Sequence, residues 1–199
     1  MITVDQITPY LLTPKQRKCG TEQIKYAEGT VKTDAGDPHS FTLCYAQDGE
    51  KPYLILDLGR STPSGYPVFT VRSQKQRPVL RVAYSDWYPY LLDREHRETG
   101  DFLRGCCKYL GVELPVLPGN PNRYELYTIS RTGKFIYPLI QGQQRFVLLT
   151  LDTPGEVEIE DFHIYYTADM EEHDGHFLCS HPGLNQLWYS STYTVQISS

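Results

Sequence analysis

From Ile24 onward, apolar and polar positions alternate with a period of two, the repeat of strands that bury one face. The clearest case is Tyr53-Leu-Ile-Leu-Asp-Leu58, which sets Leu54, Leu56 and Leu58 on one side and stops at Gly59. Segments 66–71 and 79–84 predict two further strands; in the second, Leu80, Val82 and Tyr84 alternate with Val79, Arg81 and Ala83. Strand character returns at 123–129 and 145–151. Phe146-Val-Leu-Leu149 is apolar on both sides, which predicts a central strand with both faces covered. Asp152-Thr-Pro-Gly155 reads as a turn. The segment 156–167 then changes phase, with Val157 and Ile159 in one register and Phe162, Ile164 and Tyr166 in the other. A bulge or kink near Glu160-Asp161 would reconcile the two halves.

Two stretches depart from this period. Between Trp87 and Gly119, Leu91 to Glu98 has helical propensity but Gly100 and Gly105 interrupt it, so a long, partly helical excursion is expected. The residues from His181 to Ser199 predict a helix, with Ser180 or His181 as cap and Pro182 in the first turn, where its missing N–H costs nothing. Leu184, Leu187, Trp188 and Val195 recur at helical spacing, while Tyr189, Tyr193, Gln196 and Ile197 lie opposite, and no stop signal follows. Large groups on both faces are the pattern of a helix packed on two sides, and one β-domain covers only one of them. The plainer alternative is a C-terminal helix docked on its own domain with a frayed end.

About eight to ten short strands separated by turn signals indicate an all-β fold, an antiparallel β-sandwich of jelly-roll or galactose-binding-like type with a C-terminal helix. Residues 1–20 read as an N-terminal arm with Pro9, Pro14, Lys15, Arg17 and Lys18, residues 21–175 as the sandwich, and 176–199 as a linker and helix.

Composition narrows the partners. A net charge of −5 and a pI near 5.7 leave no basic stripe to neutralise phosphates, so neither nucleic acid nor an anionic membrane surface is expected. No run approaches a membrane span, and Met-Ile-Thr-Val-Asp-Gln lacks the charged start and apolar segment of an export signal. Cys19, Cys44, Cys106, Cys107 and Cys179 form an odd set without CxxC spacing, which fits reduced thiols and a cytoplasmic location. The unusual count is 16 tyrosines, a residue suited to strands and to sugar- or protein-binding surfaces.

Candidate chemistry is sparse. His173-Asp-Gly-His176, after Glu171-Glu172, holds metal-ligand types, but no thiolate or third histidine is near, and solvated loop residues are the better reading; no metal or cofactor is expected. Glu156, Glu158 and Glu160 share one strand face, as on a water-facing sheet, and are not arranged to flank a glycosidic bond across a cleft. There is no GxSxG elbow and no glycine-rich phosphate loop. The aromatic cluster Asp86-Trp-Tyr-Pro-Tyr90 follows a strand directly. Trp87 and Tyr88 could stack on a sugar while Asp86 accepts from its hydroxyls, or the rings could anchor the excursion or a second domain.

The string from Gly175 through His181-Pro-Gly-Leu-Asn-Gln-Leu-Trp-Tyr189, followed by Tyr193-Thr-Val-Gln196, resembles a junction in bacterial α-L-rhamnosidase-like proteins. There a β-sandwich passes into the first helix of an (α/α)6-barrel. Leu80-Arg-Val-Ala-Tyr-Ser-Asp86 and Gln144-Arg-Phe-Val-Leu-Leu149 look like two recurring strands of that sandwich, and the resemblance spans residues 53 to 199. It implies that the catalytic acid and base, acting with inversion, belong to the barrel, so no catalytic residue carries over to this sequence. It further implies a partner, a C-terminal helical catalytic domain of the same chain, touched through Leu184, Leu187, Trp188, Tyr189 and Tyr193. The expected role is a non-catalytic accessory sandwich. The alternative is a free-standing carbohydrate-binding module using Asp86, Trp87 and Tyr88.

Overall fold

The computed structural model describes residues 6, 8–10, 17–34, 36–92, 105–109, 112–116, 124–166 and 175–198. After a 3-10 turn at Thr8–Tyr10 come β1 (Lys18–Gly20), β2 (Gln23–Glu28), β3 (Thr30–Thr33), β4 (Ser40–Tyr45), β5 (Tyr53–Asp57), β6 (Gly65–Lys75) and β7 (Val79–Ser85). A short helix α1 (Tyr88–Leu92) precedes β8 (Gly105–Tyr109) and β9 (Val112–Val116). Then follow β10 (Tyr124–Thr128), β11 (Gly133–Ile136), β12 (Phe146–Leu151), β13 (Gly155–Tyr166) and the helix α2 (Pro182–Ser198).

Two antiparallel sheets face each other. One runs β11-β6-β13-β4-β3, with β1 also on β13, and the other runs β10-β7-β12-β5-β2. The all-β sandwich expected from the alternation is therefore what forms. Leu54, Leu56 and Leu58 meet Leu80, Val82, Val147 and Leu149 from one sheet and Phe41, Leu43, Phe69, Val157 and Ile159 from the other, all shielded from water. Burying each such side chain contributes about 1.5–3 kcal/mol.

The strand β12 is the middle of its sheet, and the reason is visible in its composition. Its alternate residues Phe146 and Leu148 join Tyr53, Ile55 and Ala83 in a second apolar cluster on the outer side of the sheet, roofed by Leu91 of α1. Both faces are thus dry, as a continuous apolar run requires. The segment expected to be partly helical does begin with α1, but β8 and β9 pair with each other as antiparallel strands. Residues 93–98, which carry most of the helical propensity, lie outside the described residues.

The phase change in β13 is a bulge at the expected place. The pairing with β6 slips between Glu160 and His163, and Asp161 adopts a φ of 55°, a left-handed conformation that aspartate tolerates better than most side chains. Its N–H reaches the His39 carbonyl at 2.9 Å and its carboxylate receives Lys18 Nζ at 2.7 Å. The bulge also marks a change of neighbour, since β13 pairs with β4 up to Glu160 and with β1 from His163.

Candidate functional site

The loops that follow β5 and β7, the loop before β12, and α2 meet at one end of the sandwich. Asp57, the last residue of β5, is fully buried there and organises the loops. Its carboxylate accepts the Gly59 N–H at 2.8 Å, Gln23 Nε2 at 3.0 Å, and Arg145 through Nε at 2.8 Å and Nη2 at 3.1 Å. Burial alone would push this carboxyl up, but the bonds from Arg145, Gly59 and Gln23 outweigh it and hold it below its usual value. Gly59 turns the chain here with a φ of 78°, a conformation that glycine reaches without strain.

A second buried carboxylate lies inside the sandwich. Glu125 of β10 is 1% exposed. Its Oε2 accepts the hydroxyls of Tyr84 and Tyr127, each at 2.6 Å, and its Oε1 accepts Gln141 Nε2 at 2.9 Å. Burial pushes the carboxyl from 4.5 up to about 7 against these three donors. Gln141 is held in place by a two-way backbone bridge to Gly65, where any Cβ would come within 2.5 Å of the Tyr165 carbonyl oxygen. The sequence reading passed over Glu125, although it shares its parity along β10 with Tyr127 and Ile129, both core residues.

The helix α2 lies on this end through residues four apart. Asn185, Tyr189, Tyr193 and Ile197 are all at most 8% exposed. Tyr193 donates to the Ser61 carbonyl at 2.6 Å, Gln143 Nε2 donates to the Ile197 carbonyl at 2.7 Å, and Tyr189 stacks on Tyr10 with ring centroids 6.0 Å apart. The start of the helix is fixed by Asn185, which accepts the Cys179 N–H at 2.8 Å and donates back to the Cys179 carbonyl at 3.0 Å. Asn185 was not singled out from sequence, because a mid-turn asparagine looks like any solvent-facing residue. Among the described residues the opposite face is open. Leu184 is 50% exposed, Leu187 62%, Trp188 43% and Val195 70%, with Phe177 against Trp188 at 5.6 Å between ring centroids.

The cluster Asp86, Trp87 and Tyr88 does not converge on one point. Asp86 is exposed and accepts Ser61 Oγ at 2.6 Å, so it meets the helix at the same residue that Tyr193 holds. Trp87 packs edge-on against Tyr90 at 4.8 Å, and its backbone N–H donates to Ser85 Oγ at 2.9 Å. Tyr88 turns the other way, onto Phe146 at 5.4 Å in the second apolar cluster. The three glutamates of β13 point outward: Glu156 pairs with Lys75, Glu158 accepts Ser73 Oγ and Glu160 pairs with Arg72. Glu171, Glu172 and His173 lie outside the described residues, and His176 is exposed. Cys19, Cys44 and Cys179 are free thiols. No described helix is long and apolar enough to cross a membrane.

No protein-family model matches the sequence, and no curated protein does. Among solved structures, a rhamnosidase from Klebsiella oxytoca with rhamnose bound superposes with a TM-score of 0.58 and 10% identity over 90% of this chain. This chain shares its fold with part of that rhamnosidase. This chain spans 35% of that rhamnosidase. A GH78 family rhamnosidase of Bacillus sp. GL1 matches 78% of this chain and 14% of its own at 20% identity and a TM-score of 0.47. The Clostridium perfringens chain CpGH89CBM32-6 matches 72% of this chain and 95% of its own at 11% identity and a TM-score of 0.33. The last two superpose too loosely to add to the first.

Proposed function

We propose that this chain is a non-catalytic accessory sandwich of a rhamnosidase-like glycoside hydrolase, and that the outer face of α2 docks on a helical catalytic domain. The observation that carries the reading is the two-sided helix. Its inner row of Asn185, Tyr189, Tyr193 and Ile197 is spent on the sandwich, while Leu184, Leu187, Trp188 and Val195 stay in water. Scattered apolar residues on a surface need no explanation, but four along one helix face form a contiguous patch of the kind that contacts a partner. The fold likeness to a rhamnosidase chain about two and a half times as long makes a further domain of that enzyme class the natural occupant.

In this role the sandwich braces the catalytic domain and orients the loops around Ser61 and Asp86, which the helix holds from beneath. The buried end, with Asp57 and Glu125 both committed to hydrogen bonds, serves rigidity and offers no nucleophile to a substrate. The test has two parts. The intact mass of the natural gene product, captured from its source cells with an antibody against this chain, should lie far above 22.9 kDa. The isolated chain should give no turnover of an aryl α-L-rhamnoside. A natural product of about the mass of this chain, or measurable turnover by it alone, would overturn the reading. The first result would bring forward a free-standing carbohydrate-binding module.

A further inference from the structure

Beyond the bulge, the outer face of the six-stranded sheet carries a shallow groove of about 370 Å³, lined by Tyr66, Val68, Lys134, Ile136, His163 and Tyr165. Its lining shares no residue with the helix or with Asp86 and Trp87. Its floor follows from the strand register. Tyr66 stands directly opposite Tyr165 and Val68 opposite His163 across β6 and β13, while Ile136 of β11 stands opposite Val68 on the other side. The bulge at Asp161 is what brings His163 and Tyr165 out, since Phe162, Ile164 and Tyr166 take the inward positions.

The chemistry of the lining is mixed in a particular way. Two phenol rings and two aliphatic side chains offer apolar faces, and Tyr165 is 45% and Ile136 57% exposed. His163 has its Nδ1 at 2.7 Å from the Asp161 carbonyl, so Nδ1–H donates there and Nε2 remains as an acceptor. Burial holds the imidazole below its usual range, hence neutral. Lys134 is the one charged group of the lining, and no described carboxylate pairs with it. The neighbouring acids are taken, Glu160 by Arg72 and Asp161 by Lys18.

We propose that this groove is a saccharide site, and that it takes a sugar unit bearing a carboxylate. A pyranose ring has an apolar C–H face to lay on a tyrosine and hydroxyls for the phenol and imidazole edges, and a carboxylate complements the Lys134 ammonium. The backbone groups of β6 and β13 beneath the groove are committed to one another, so an occupant lying on this face is held by side chains. Strand addition is left to the outer edge of β11, beside the groove, and the poly-glutamate arm of the test reads it.

The test is a calorimetric titration of the purified chain with tri-galacturonic acid, with its methyl ester as the uncharged counterpart and a short poly-glutamate as the acidic peptide. Saturable binding of the acid is expected, weaker by about tenfold for the ester, and reduced by rising salt. Lys134→Met should weaken binding of the acid to the level of the ester, and Tyr165→Ala should abolish both. Both side chains are at the surface, and unchanged thermal melting of the two variants serves as the check on folding. Absence of saturation by the acid, equal binding of acid and ester, binding that survives Tyr165→Ala, or tighter binding of poly-glutamate than of the sugar acid would each overturn the proposal.

Discussion

The substitution Glu125→Gln should make the protein more stable at alkaline pH and remove a slope from its pH–stability curve. Glu125 is sealed inside the sandwich at 1% exposure, and its carboxyl is pushed from 4.5 up to about 7 by burial. Between these two values the folded chain holds a proton that the unfolded chain has released. Folding is therefore favoured at the acid end, and this contribution is lost as pH rises from the unfolded value through the folded one. At 1.36 kcal/mol per unit, the displacement amounts to about 3 kcal/mol between pH 4.5 and 8. Glutamine is neutral throughout and keeps an oxygen for the hydroxyls of Tyr84 and Tyr127, while its amide nitrogen requires Gln141 to turn its own amide oxygen toward it. Other groups titrate over the same range, among them His163, whose depressed imidazole works in the opposite sense, so the informative quantity is the difference between the two proteins. Urea unfolding followed by the fluorescence of Trp87 and Trp188, at half-unit steps from pH 5 to 8.5, measures it. The variant should gain on the parent progressively up to neutrality and then hold a constant lead. Parallel curves across the whole range, or a variant that loses ground as pH rises, would show that the carboxylate is fully compensated by its three donors and that the reasoning fails.

Three further outcomes are expected. Tyr193→Phe removes the hydroxyl that donates to the Ser61 carbonyl and should cost about 1 kcal/mol in chemical denaturation, with increased hydrogen exchange confined to α2. At the bulge, Asp161→Val forces a β-branched residue to a φ of 55° and should cost about 1–3 kcal/mol, whereas Asp161→Gly, which loses the exposed pair with Lys18 and the 3.6 Å approach to His163 Nδ1, should melt within a few degrees of the parent. Leu148→Ala opens a void between the sheet and α1 and should cost about 2–5 kcal/mol; a smaller loss would mean that α1 collapses into the gap.

The elements that could be read from the sequence are those whose burial is one-sided or complete. β5, β7 and β13 declare themselves because water on one face enforces alternation, and β12 because its absence on both faces removes it. The bulge was legible for the same reason: only an extra residue lets Ile159 and Phe162 both face inward. The pairing of β8 with β9 was not, since Pro115 interrupts the run, and proline is tolerated in a strand only where its missing N–H goes unneeded. At the candidate site, the two faces of α2 were visible as spacing. Which face the sandwich covers was not, because Tyr193 and Trp188 are equally fit to be buried and the choice rests on Ser61 and Tyr10, remote in sequence. The groove at Tyr66 and Tyr165 was hidden for a related reason: neither tyrosine is notable alone, and their opposition exists only in the register.

The bulge at Asp161 also governs how this gene can change. In a regular strand a lost codon turns every residue beyond it to the other face. Here, removing one residue between Ile159 and Phe162 would restore a uniform period and leave Phe162, Ile164 and Tyr166 facing inward and His163 and Tyr165 outward. What would go is the left-handed residue itself, with its bonds to His39 and Lys18. The bulge is therefore the place in this strand where length can change without inverting its faces, and a deletion elsewhere along it would send one set of side chains to the wrong side.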